Sequence, residues 1–242
     1  MRDYAFEIER RVAFIREIIQ SAGAKGIVYG NSGGKDAALA GILCKMACDD
    51  TVGLILPCGT RQNYESDRRD AELVGDQFGI ATRIVDLSHV KSVFIQAVEG
   101  TAELSDAAVA NIAPRLRMTA LYAVAASEGR LVAGTSNRSE MYVGYSTKWG
   151  DSAYDFNPIA DLTVTEIYEF LRYLNAPASI MEKAPSGGLF EGQTDEAELG
   201  VSYRSIDEYL FTGAANEAER VIIERHHRAS VHKRRMPTVF EG

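Results

Sequence analysis

The sequence predicts an α/β protein built on a doubly wound parallel sheet of about five strands, followed by a helical C-terminal part. Short apolar runs alternate with helical patterns along the first half of the chain, and such strand–helix–strand units give parallel strands joined by crossover helices. A glycine-rich turn separates the first predicted strand from the helix that follows it. Further along the chain, two helix-start signals recur and indicate the helical part.

The first predicted helix carries an apolar stripe at 4-3-4 spacing and ends at Gly23. The stripe consists of Ile8, Val12, Ile15 and Ile19. Residues 26–30 follow as a short buried strand. Residues 36–48 are apolar on nearly every side, which predicts a helix that the sheet and its neighbours cover all round. The pattern continues with a strand, a helix and a strand at residues 51–56, 67–78 and 80–87.

The second half of the chain has mostly helical patterns. Residues 107–127 form long helical segments, and residues 130–134 form a further strand. Thr163 begins a capping box at the start of one helix, and Ser205 is predicted to open another in the same way. Residues 184–198 lie between these helices, are rich in glycine and polar residues, and have no period. We interpret them as a mobile loop with a functional role.

The composition excludes several classes of protein. Hydrophobic residues make up 46% and charged residues 25%, and the net charge of −8 argues against a nucleic-acid-binding surface. No apolar run approaches the roughly 18 residues that span a bilayer, and the N-terminus lacks a signal-peptide pattern. We therefore expect a cytoplasmic protein without membrane attachment and with reduced cysteines. Residues 225–235 are a basic exception, which fits either a solvated helix end or a phosphate contact.

The segment from Gly30 to Asp36 reads GNSGGKD, and it leaves a strand to enter a helix. Backbone N–H groups and the positive end of the helix converge there, where they suit a phosphate. The two adjacent glycines allow close approach of an anion, Ser32 adds a hydroxyl donor, and Asp36 is a candidate magnesium ligand. The string is neither a Walker A loop nor a GxGxxG motif. A glycine turn without a ligand remains the alternative.

The Ser-Gly-Gly-x-Asp string resembles the pyrophosphate loop of the N-type ATP pyrophosphatases. That superfamily includes NAD synthetases, GMP synthetases, argininosuccinate synthetases and tRNA-modifying enzymes. The resemblance implies an adenine nucleotide alpha hydrolase-like fold, and cleavage of ATP between the α and β phosphates with transfer of AMP to an oxygen of the substrate. It also implies that the loop residues bind ATP, namely Gly30, Asn31, Ser32, Gly33, Gly34, Lys35, Asp36 and Ala37.

Five later segments resemble the ammonia-dependent NAD synthetases, in the order that this family has. They read NIAPRLRM at 111–118, GTSNRSE at 134–140, GYSTKWGD at 144–151 with DFNP at 155–158, DEAELGVSY at 195–203 and HKRRMP at 232–237. With the phosphate loop, they cover nearly the whole chain. The resemblance implies ATP-driven adenylation of the nicotinate carboxylate of deamido-NAD and its amidation by ammonia, which gives NAD, AMP and pyrophosphate.

The resemblance also implies roles for single residues at the ATP end of the site. Thr135 would contact ATP, and Ser186 on the mobile loop would reach the phosphates. Glu140 would share a magnesium ion with Asp36, because the two acids follow neighbouring strand ends. Closure of the loop over ATP would exclude water that hydrolyses the adenylate.

At the pyridine end, the resemblance implies two catalytic residues. Asp151 would lie beside the nicotinate carboxylate and the ammonia site, and Lys148 would act with it. The residues implied for binding deamido-NAD are Asn111, Arg115, Lys148, Asp155, Glu198, His232 and Lys233. Some of these would come from a partner subunit, since the family is homodimeric. The expected organisation is one domain over residues 1–242 without a glutaminase domain, so that ammonia is free or comes from a separate protein.

Three positions depart from the family's pattern. Ala37, Val164 and Gly188 stand where relatives commonly have a serine, a phosphate-binding lysine and an aspartate. Losing one charged phosphate contact costs about 1.5–3 kcal/mol. We hypothesise that Lys35 swings over the β and γ phosphates in compensation. The alternatives are an ATP pyrophosphatase that adenylates another carboxylate or a tRNA base, and a nucleotide-binding relative with weak catalysis.

Overall fold

The computed structural model of the protein describes residues 2–60, 63–183, 185–190 and 192–240, with the backbone alone at residues 63–64. Four strands form one sheet, in which every neighbouring pair is parallel and the order is β3-β2-β1-β4. They are β1 (Gly26–Gly30), β2 (Thr51–Ile55), β3 (Ala81–Ile84) and β4 (Arg130–Ala133). The predicted α/β fold with a parallel sheet is therefore confirmed.

The predicted number of five strands is not reached in the described part of the chain. Beside β4, the segment at Phe156 makes a single parallel bridge to Ala133. The N–H of Gly134 donates to the Phe156 carbonyl at 2.7 Å, and the N–H of Asp155 donates to the Val132 carbonyl at 2.9 Å. Pro158, two residues after Phe156, has no N–H to extend the ladder, so the pairing stops after one bridge.

Helices join the strands and make up the C-terminal part. In the described residues they are α1 (Tyr4–Ala22), α2 (Lys35–Ala47), α3 (Arg68–Phe78), α4 (Ser88–Glu99), α5 (Asp106–Ala110), α6 (Ile112–Glu128), α7 (Arg138–Val143), α8 (Val164–Tyr173), α9 (Ala178–Glu182), α10 (Asp195–Leu199), α11 (Tyr203–Thr212) and α12 (Glu217–Ala229). A π-helical turn (Asn63–Asp67) leads into α3, and a 3₁₀ turn (Val231–Lys233) follows α12. Over the same residues, no helix is both long and apolar enough to cross a bilayer.

Alternate residues of β1 face two different helical layers, as a doubly wound topology requires. Ile27 and Tyr29 belong to the core that α1, α2 and α8 cover. Val28 belongs to a second core on the other face, together with Ala125 of α6. Burial on both faces explains why the strand reads as a continuous apolar run without alternation.

The C-terminal helices pack around a third apolar cluster that includes Val164 and Ile223. The buried carboxylate of Asp207 on α11 connects this part to the rest of the chain. It accepts hydrogen bonds from the Ser139 hydroxyl of α7 and from both the N–H and the hydroxyl of Thr165 on α8, the last two at 2.8 and 2.6 Å. Helix α7, with Glu140 in its first turn, is thereby held in a fixed position.

Helix boundaries agree with the sequence in one case and differ in two. The capping box at Thr163 is confirmed, since its side chain and that of Glu166 cap each other's backbone N–H groups. The predicted start at Ser205 is wrong, because Ser202 caps α11 and accepts a hydrogen bond from the N–H of Ser205 at 3.1 Å. Helix α10 overlaps the end of the segment predicted to be a loop, and its five residues are too few to show a period.

Helix α2 lies in close contact with β1. Residues 37–44 of the helix are all buried, and Gly41 faces the Tyr29 ring. A Cβ atom at position 41 would lie 2.3 Å from Cζ of Tyr29. Glycine is therefore required here for the close approach of helix and strand, and this packing fixes the start of α2 at the end of β1.

We expect Gly41→Ala to lower the free energy of unfolding by about 1–3 kcal/mol, because the new methyl group overlaps the Tyr29 ring. Without that overlap, alanine in a helix interior is more stable than glycine by about 1 kcal/mol. Urea denaturation measures the change. Gly100→Ala is the matched control, since a Cβ there would meet only the Ala97 carbonyl, at 3.7 Å. Equal stabilities of the two variants would contradict the close packing.

Candidate active site

The carboxyl ends of β1 and β4 lie side by side, at the point where the strand order reverses. Ligands of open α/β sheets bind in the crevice at this position. Helix α2 leaves β1 through the phosphate loop, and α7 leaves β4 through residues 134–137. Asp36 and Glu140 therefore stand in the first turns of two helices that begin at the same crevice.

A cavity of about 610 Å³ opens at this crevice. It brings together residues from both ends of the chain, including 14 of the 19 predicted site residues. The predicted residues that line it are Gly30, Asn31, Ser32, Gly34, Lys35, Asp36, Ala37, Asn111, Thr135, Glu140, Asp151, Ser186, Glu198 and Lys233. The phosphate loop and the predicted pyridine end thus share one cavity.

The phosphate loop is shaped by its packing against the start of α3. Gly33 has a φ of 71°, in the left-handed region that favours glycine, and a Cβ there would lie 2.1 Å from the Asp67 carbonyl oxygen. Gly33 does not line the cavity. The lack of a side chain at this position therefore serves the packing of the loop. The hydroxyl of Ser32 accepts from the N–H of Gly34 at 3.3 Å. Helix α2 begins at the next residue, and the free N–H groups of its first turn face the loop.

Lys35 lies between the two acids that were predicted to share a metal ion. Its side chain is only 6% exposed, and its Nζ lies 2.8 Å from Asp36 Oδ2 and 3.9 Å from Glu140 Oε1. Asn137 holds both acids, since its Nδ2 donates to Asp36 at 3.0 Å and its backbone N–H to Glu140 at 3.3 Å. The structure therefore brings the two acids together. It does not show the flexible loop lysine of the sequence hypothesis, because Lys35 is the first residue of α2 and its ammonium is enclosed.

A third carboxylate, that of Asp195 at the start of α10, belongs to the same cluster. It is buried, with one oxygen accepting from the Tyr203 hydroxyl at 3.1 Å and the other without a partner among the described residues. Burial raises the pKa of Asp195 above its ordinary value, and the Lys35 ammonium opposes this shift. Burial and the neighbouring Asp36 carboxylate also raise the pKa of Glu140. Although burial lowers it, the acids Asp36 and Glu140 raise the pKa of Lys35 overall.

Asp151 lies at the other end of the cavity with two cations near it. Its Oδ1 accepts from the N–H of Thr147 at 2.8 Å. The Asp151 side chain is exposed toward the cavity, and desolvation by the surrounding protein raises the pKa of Asp151 while Lys233 and Arg117 act against the rise. The Nζ of Lys233 donates to the carbonyls of Gly144 and Ser146 at 2.8 and 2.6 Å. An acid beside cations suits a substrate that is itself a carboxylate, with ammonia as the second reactant.

Lys148 and His232 line a second cavity of about 420 Å³ rather than the large one. Arg228 and Arg235 line it as well, so its wall is basic. The Nζ of Lys148 lies over the Trp149 ring, 5.4 Å from its centre. The structure thus separates Lys148 from the cavity of Asp151, and the catalytic role of Lys148 stays a prediction.

Arg115 and Asp155 line neither cavity. Arg115 is exposed, and its guanidinium donates to the carbonyls of Lys148 and Asn111 at 3.3 and 3.4 Å. Asp155 accepts from the backbone N–H of Val132 at 2.7 Å and ties its own segment to β4. Both residues therefore have structural partners, and their roles in binding a dinucleotide stay predictions.

The segment predicted to be a mobile loop forms one wall of the large cavity at residues 185–190. Ala184 and Glu191, which the prediction includes, lie outside the described residues. Gly188 has a φ of 60°, which is strained for an aspartate, and its N–H donates to the Ser186 hydroxyl at 3.2 Å. This backbone conformation explains glycine at position 188. The closure of the loop over ATP stays a prediction.

The other two departures from the family's pattern are residues of the core. Ala37 is 2% exposed on α2, and Val164 is 4% exposed in the third apolar cluster. Val164 also begins α8, and its N–H donates to the Ser139 hydroxyl at 3.2 Å. Small apolar side chains are compatible with both positions, since each is enclosed by neighbouring helices.

The structure adds two cations that the sequence did not single out. Arg117 lines the large cavity, and its Nε donates to the Leu56 carbonyl at 3.0 Å. Lys183 also lines it, with its Nζ 2.6 Å from Asp67 and 3.0 Å from Asp70. Arg117 follows Arg115 by two residues, and residues at that spacing face different sides of a helix. The spacing indicates that the two arginines do not both face the cavity. It does not indicate which of them does.

We expect Asp195→Asn to raise the melting temperature at pH 8 and to have little effect near pH 4. The folded protein raises the pKa of this carboxyl, so the unfolded chain ionises first as pH rises. The charged, buried form then lowers stability above the folded pKa, and asparagine removes that penalty. Thermal unfolding at several pH values measures the difference between the variant and the wild type.

Asp76→Asn, at an exposed acid of α3, is the control and should leave the difference near zero at every pH. A lower melting temperature of Asp195→Asn at pH 8 would contradict the desolvation argument. It would show that the ionised carboxylate stabilises the cluster around Lys35.

A model of the family described as NAD synthase matches residues 7–239. The NH(3)-dependent NAD(+) synthetase of Carboxydothermus hydrogenoformans is 42% identical over 234 residues, which are 96% of this chain and 95% of that protein. Among solved structures, an NMN synthetase from Francisella tularensis has a TM-score of 0.94 at 32% identity, with 100% of both chains covered. An NH3-dependent NAD synthetase from Campylobacter jejuni, in complex with the nitrate ion, has a TM-score of 0.82 at 28% identity with the same coverage. The chain in which one cavity joins the glycine-rich loop to Asp151 therefore belongs to the NAD synthase family.

Proposed function

We propose that the protein is an ammonia-dependent NAD synthetase, a ligase that forms a C–N bond by ATP-driven amidation of deamido-NAD. One observation carries the proposal. A single cavity joins the phosphate loop to Asp151 and Lys233, so that ATP and a carboxylate substrate can meet. The family membership of the chain supports the same activity.

In the proposed first step, an oxygen of the nicotinate carboxylate attacks the α phosphorus of ATP. The bond between this phosphorus and the bridging oxygen of pyrophosphate breaks, and an acyl-adenylate forms. Loop N–H groups and the positive end of α2 stabilise the charge on the phosphates. Lys183 lies on the cavity wall and supplies a cation for the leaving pyrophosphate. Thr135 and Ser186, also on this wall, are the proposed hydroxyl donors to ATP.

In the proposed second step, the nitrogen of ammonia attacks the carbonyl carbon of the adenylate. The bond to the AMP oxygen breaks, the amide forms, and AMP leaves. Asp151 is the proposed acceptor of the proton that the attacking nitrogen loses, since its raised pKa brings it nearer to a general base than an ordinary carboxylate. Lys233 and Arg117 neutralise the anionic pyridine nucleotide. The wall at residues 185–190 limits access of water to the adenylate.

The family resemblance implies a magnesium ion at Asp36 and Glu140, and the donor set does not fit one as it stands. Magnesium requires oxygen ligands at about 2.0–2.1 Å in near-octahedral geometry. The Lys35 ammonium occupies the space between the two carboxylates, 2.8 Å from the first. The described residues also contain no group of three or more acids, histidines or cysteines arranged to hold a metal. No step of the proposed reaction is therefore assigned to a metal at this pair.

The remaining features of the proposal concern the whole protein. We propose a cytoplasmic homodimer of single-domain subunits that takes ammonia from solution or from a separate protein. Exposed apolar side chains on α4 support the contact between subunits, because Val90, Val93 and Phe94 are each about half exposed. The basic second cavity is the proposed site for the remote phosphate of a dinucleotide.

A second candidate function has the same chemistry on a smaller substrate, nicotinate mononucleotide. The likeness to the NMN synthetase favours it, because that structure has the higher TM-score of the two compared. The positions of the residues assigned to deamido-NAD favour it as well. Asn111 and Lys233 line the large cavity, whereas Lys148 and His232 line another, and a mononucleotide needs only the first.

A competition assay decides between the two candidates. The protein is supplied with ATP, Mg²⁺, ¹⁵N-ammonium and equal concentrations of deamido-NAD and nicotinate mononucleotide, and products are measured by mass spectrometry. The main proposal expects ¹⁵N-labelled NAD as the principal amide, with one AMP formed per amide. Principal formation of labelled nicotinamide mononucleotide would establish the second candidate. Formation of AMP without either amide would contradict both candidate functions. It would favour adenylation of another carboxylate or of a tRNA base.

We expect Arg117→Met to lower kcat/KM for the pyridine nucleotide by roughly ten- to a hundredfold, the effect of losing one charged contact of about 1.5–3 kcal/mol. Arg115→Met is the matched control, two residues away and exposed, and should change kcat/KM by no more than about twofold. Steady-state kinetics with saturating ATP and ammonium measures both. The reverse order of effects would show that Arg115, and not Arg117, contacts the nucleotide.

A further inference from the structure

The Lys35 ammonium is buried among four groups that attract a cation, two carboxylates and two tyrosine rings. Its ammonium nitrogen lies 2.8 Å from Asp36 and 3.9 Å from Glu140, on the side of the crevice. On other sides, the centres of the Tyr168 and Tyr203 rings lie 6.0 and 5.7 Å away, within the range of cation–π contacts. The ammonium is therefore held in a built site.

The two carboxylates are fixed by other residues and are not merely drawn in by the lysine. Asn137 donates to both, at 3.0 and 3.3 Å, and its own side-chain oxygen accepts from the N–H of Glu140 at 2.9 Å. Asn137 is fully buried, and it caps α7. The separation of the acids is thus set by the packing of α2 and α7, and the lysine fills the gap between them.

A divalent ion between the same acids would have to lie close to the position of this ammonium. Two cations at such a distance repel each other strongly in a buried site. The two tyrosine rings and the buried aliphatic part of the Lys35 side chain leave no space on their side into which the ammonium could move. The site therefore holds either the ammonium or a divalent ion.

We propose that the Lys35 ammonium is a built-in cation that takes the place of a divalent metal ion between Asp36 and Glu140. The free protein then has no divalent-cation site at this pair, and removing the ammonium creates one. This inference concerns metal binding alone, and it holds whichever pyridine nucleotide is amidated.

The test is titration of the nucleotide-free protein with Mn²⁺, in which electron paramagnetic resonance counts the free ion. Wild type and Glu140→Gln are expected to bind Mn²⁺ equally, because the Glu140 carboxylate is not a metal ligand in the wild type. Lys35→Met keeps the length and burial of the side chain but removes its charge. It is expected to gain one site that binds at least about tenfold more tightly than any in the wild type, and Lys35→Met/Glu140→Gln should lose it again.

Lys45→Met is the matched control, since Lys45 lies on the same helix and pairs with exposed Asp49 away from the cavity. It should bind Mn²⁺ as the wild type does. In addition, Mg²⁺ should raise the melting temperature of Lys35→Met more than that of the wild type, because the ion replaces the lost charge.

Two results would overturn the proposal. One is a stoichiometric Mn²⁺ site in the wild type that Glu140→Gln removes. The other is a Lys35→Met variant that folds but binds Mn²⁺ no more tightly than the wild type does. If Lys35→Met does not fold, the comparison of wild type with Glu140→Gln still decides, since equal binding supports the proposal and lost binding refutes it.

Discussion

The close packing of α2 on β1 is the contact on which the rest of the molecule depends. Residues 37–44 are buried continuously, so the helix has no exposed face along which it could shift. Gly41 lets the helix approach Tyr29, and Gly33 lets the preceding loop approach the start of α3. The free N–H groups at the start of α2 are therefore fixed at the carboxyl end of the sheet. A phosphate site made of backbone groups requires this rigidity, because such groups cannot rotate to meet a ligand.

Charge is distributed unevenly along the cavity, and this distribution follows from the same packing. At the loop end, three carboxylates surround one enclosed ammonium, that of Lys35. At the other end, the acid Asp151 stands among the cations Arg117 and Lys233. In the proposed reaction, the cations at the second end attract the anionic pyridine nucleotide, and the loop N–H groups and Lys183 on the cavity wall bind the phosphates of ATP. The order of charges along the cavity thus agrees with the proposed positions of the two anionic substrates.

The helical C-terminal part completes the site rather than forming a separate structure. Asp207 binds α7, α8 and α11 together and so fixes the start of α7, where Glu140 stands. Lys233, near the chain end, reaches back to the carbonyls after α7 and lines the cavity beside Asp151. Residues distant in sequence therefore share one wall, because both halves of the chain pack on the same edge of the sheet.

The sequence by itself determined the fold class, the phosphate loop and the family resemblance. Strand and helix periods are local patterns, and GNSGGKD joins a strand to a helix within a few residues. Most of the site residues that the resemblance named line the cavity. It did not determine which face of a helix meets the cavity, so Arg115 was named where Arg117 lines the wall.

Only the tertiary structure decided where the charged group of each long side chain lies. Lys35 follows two glycines, which suggested a free loop lysine, but the packing of α2 and α7 encloses its ammonium between Asp36 and Glu140. Lys148 and His232 belong to the predicted dinucleotide set, yet the turn at Trp149 and the end of α12 place them in a second cavity. Local patterns record the conformation of neighbouring residues. The direction of a long side chain depends on what packs around it, and those partners lie elsewhere in the sequence.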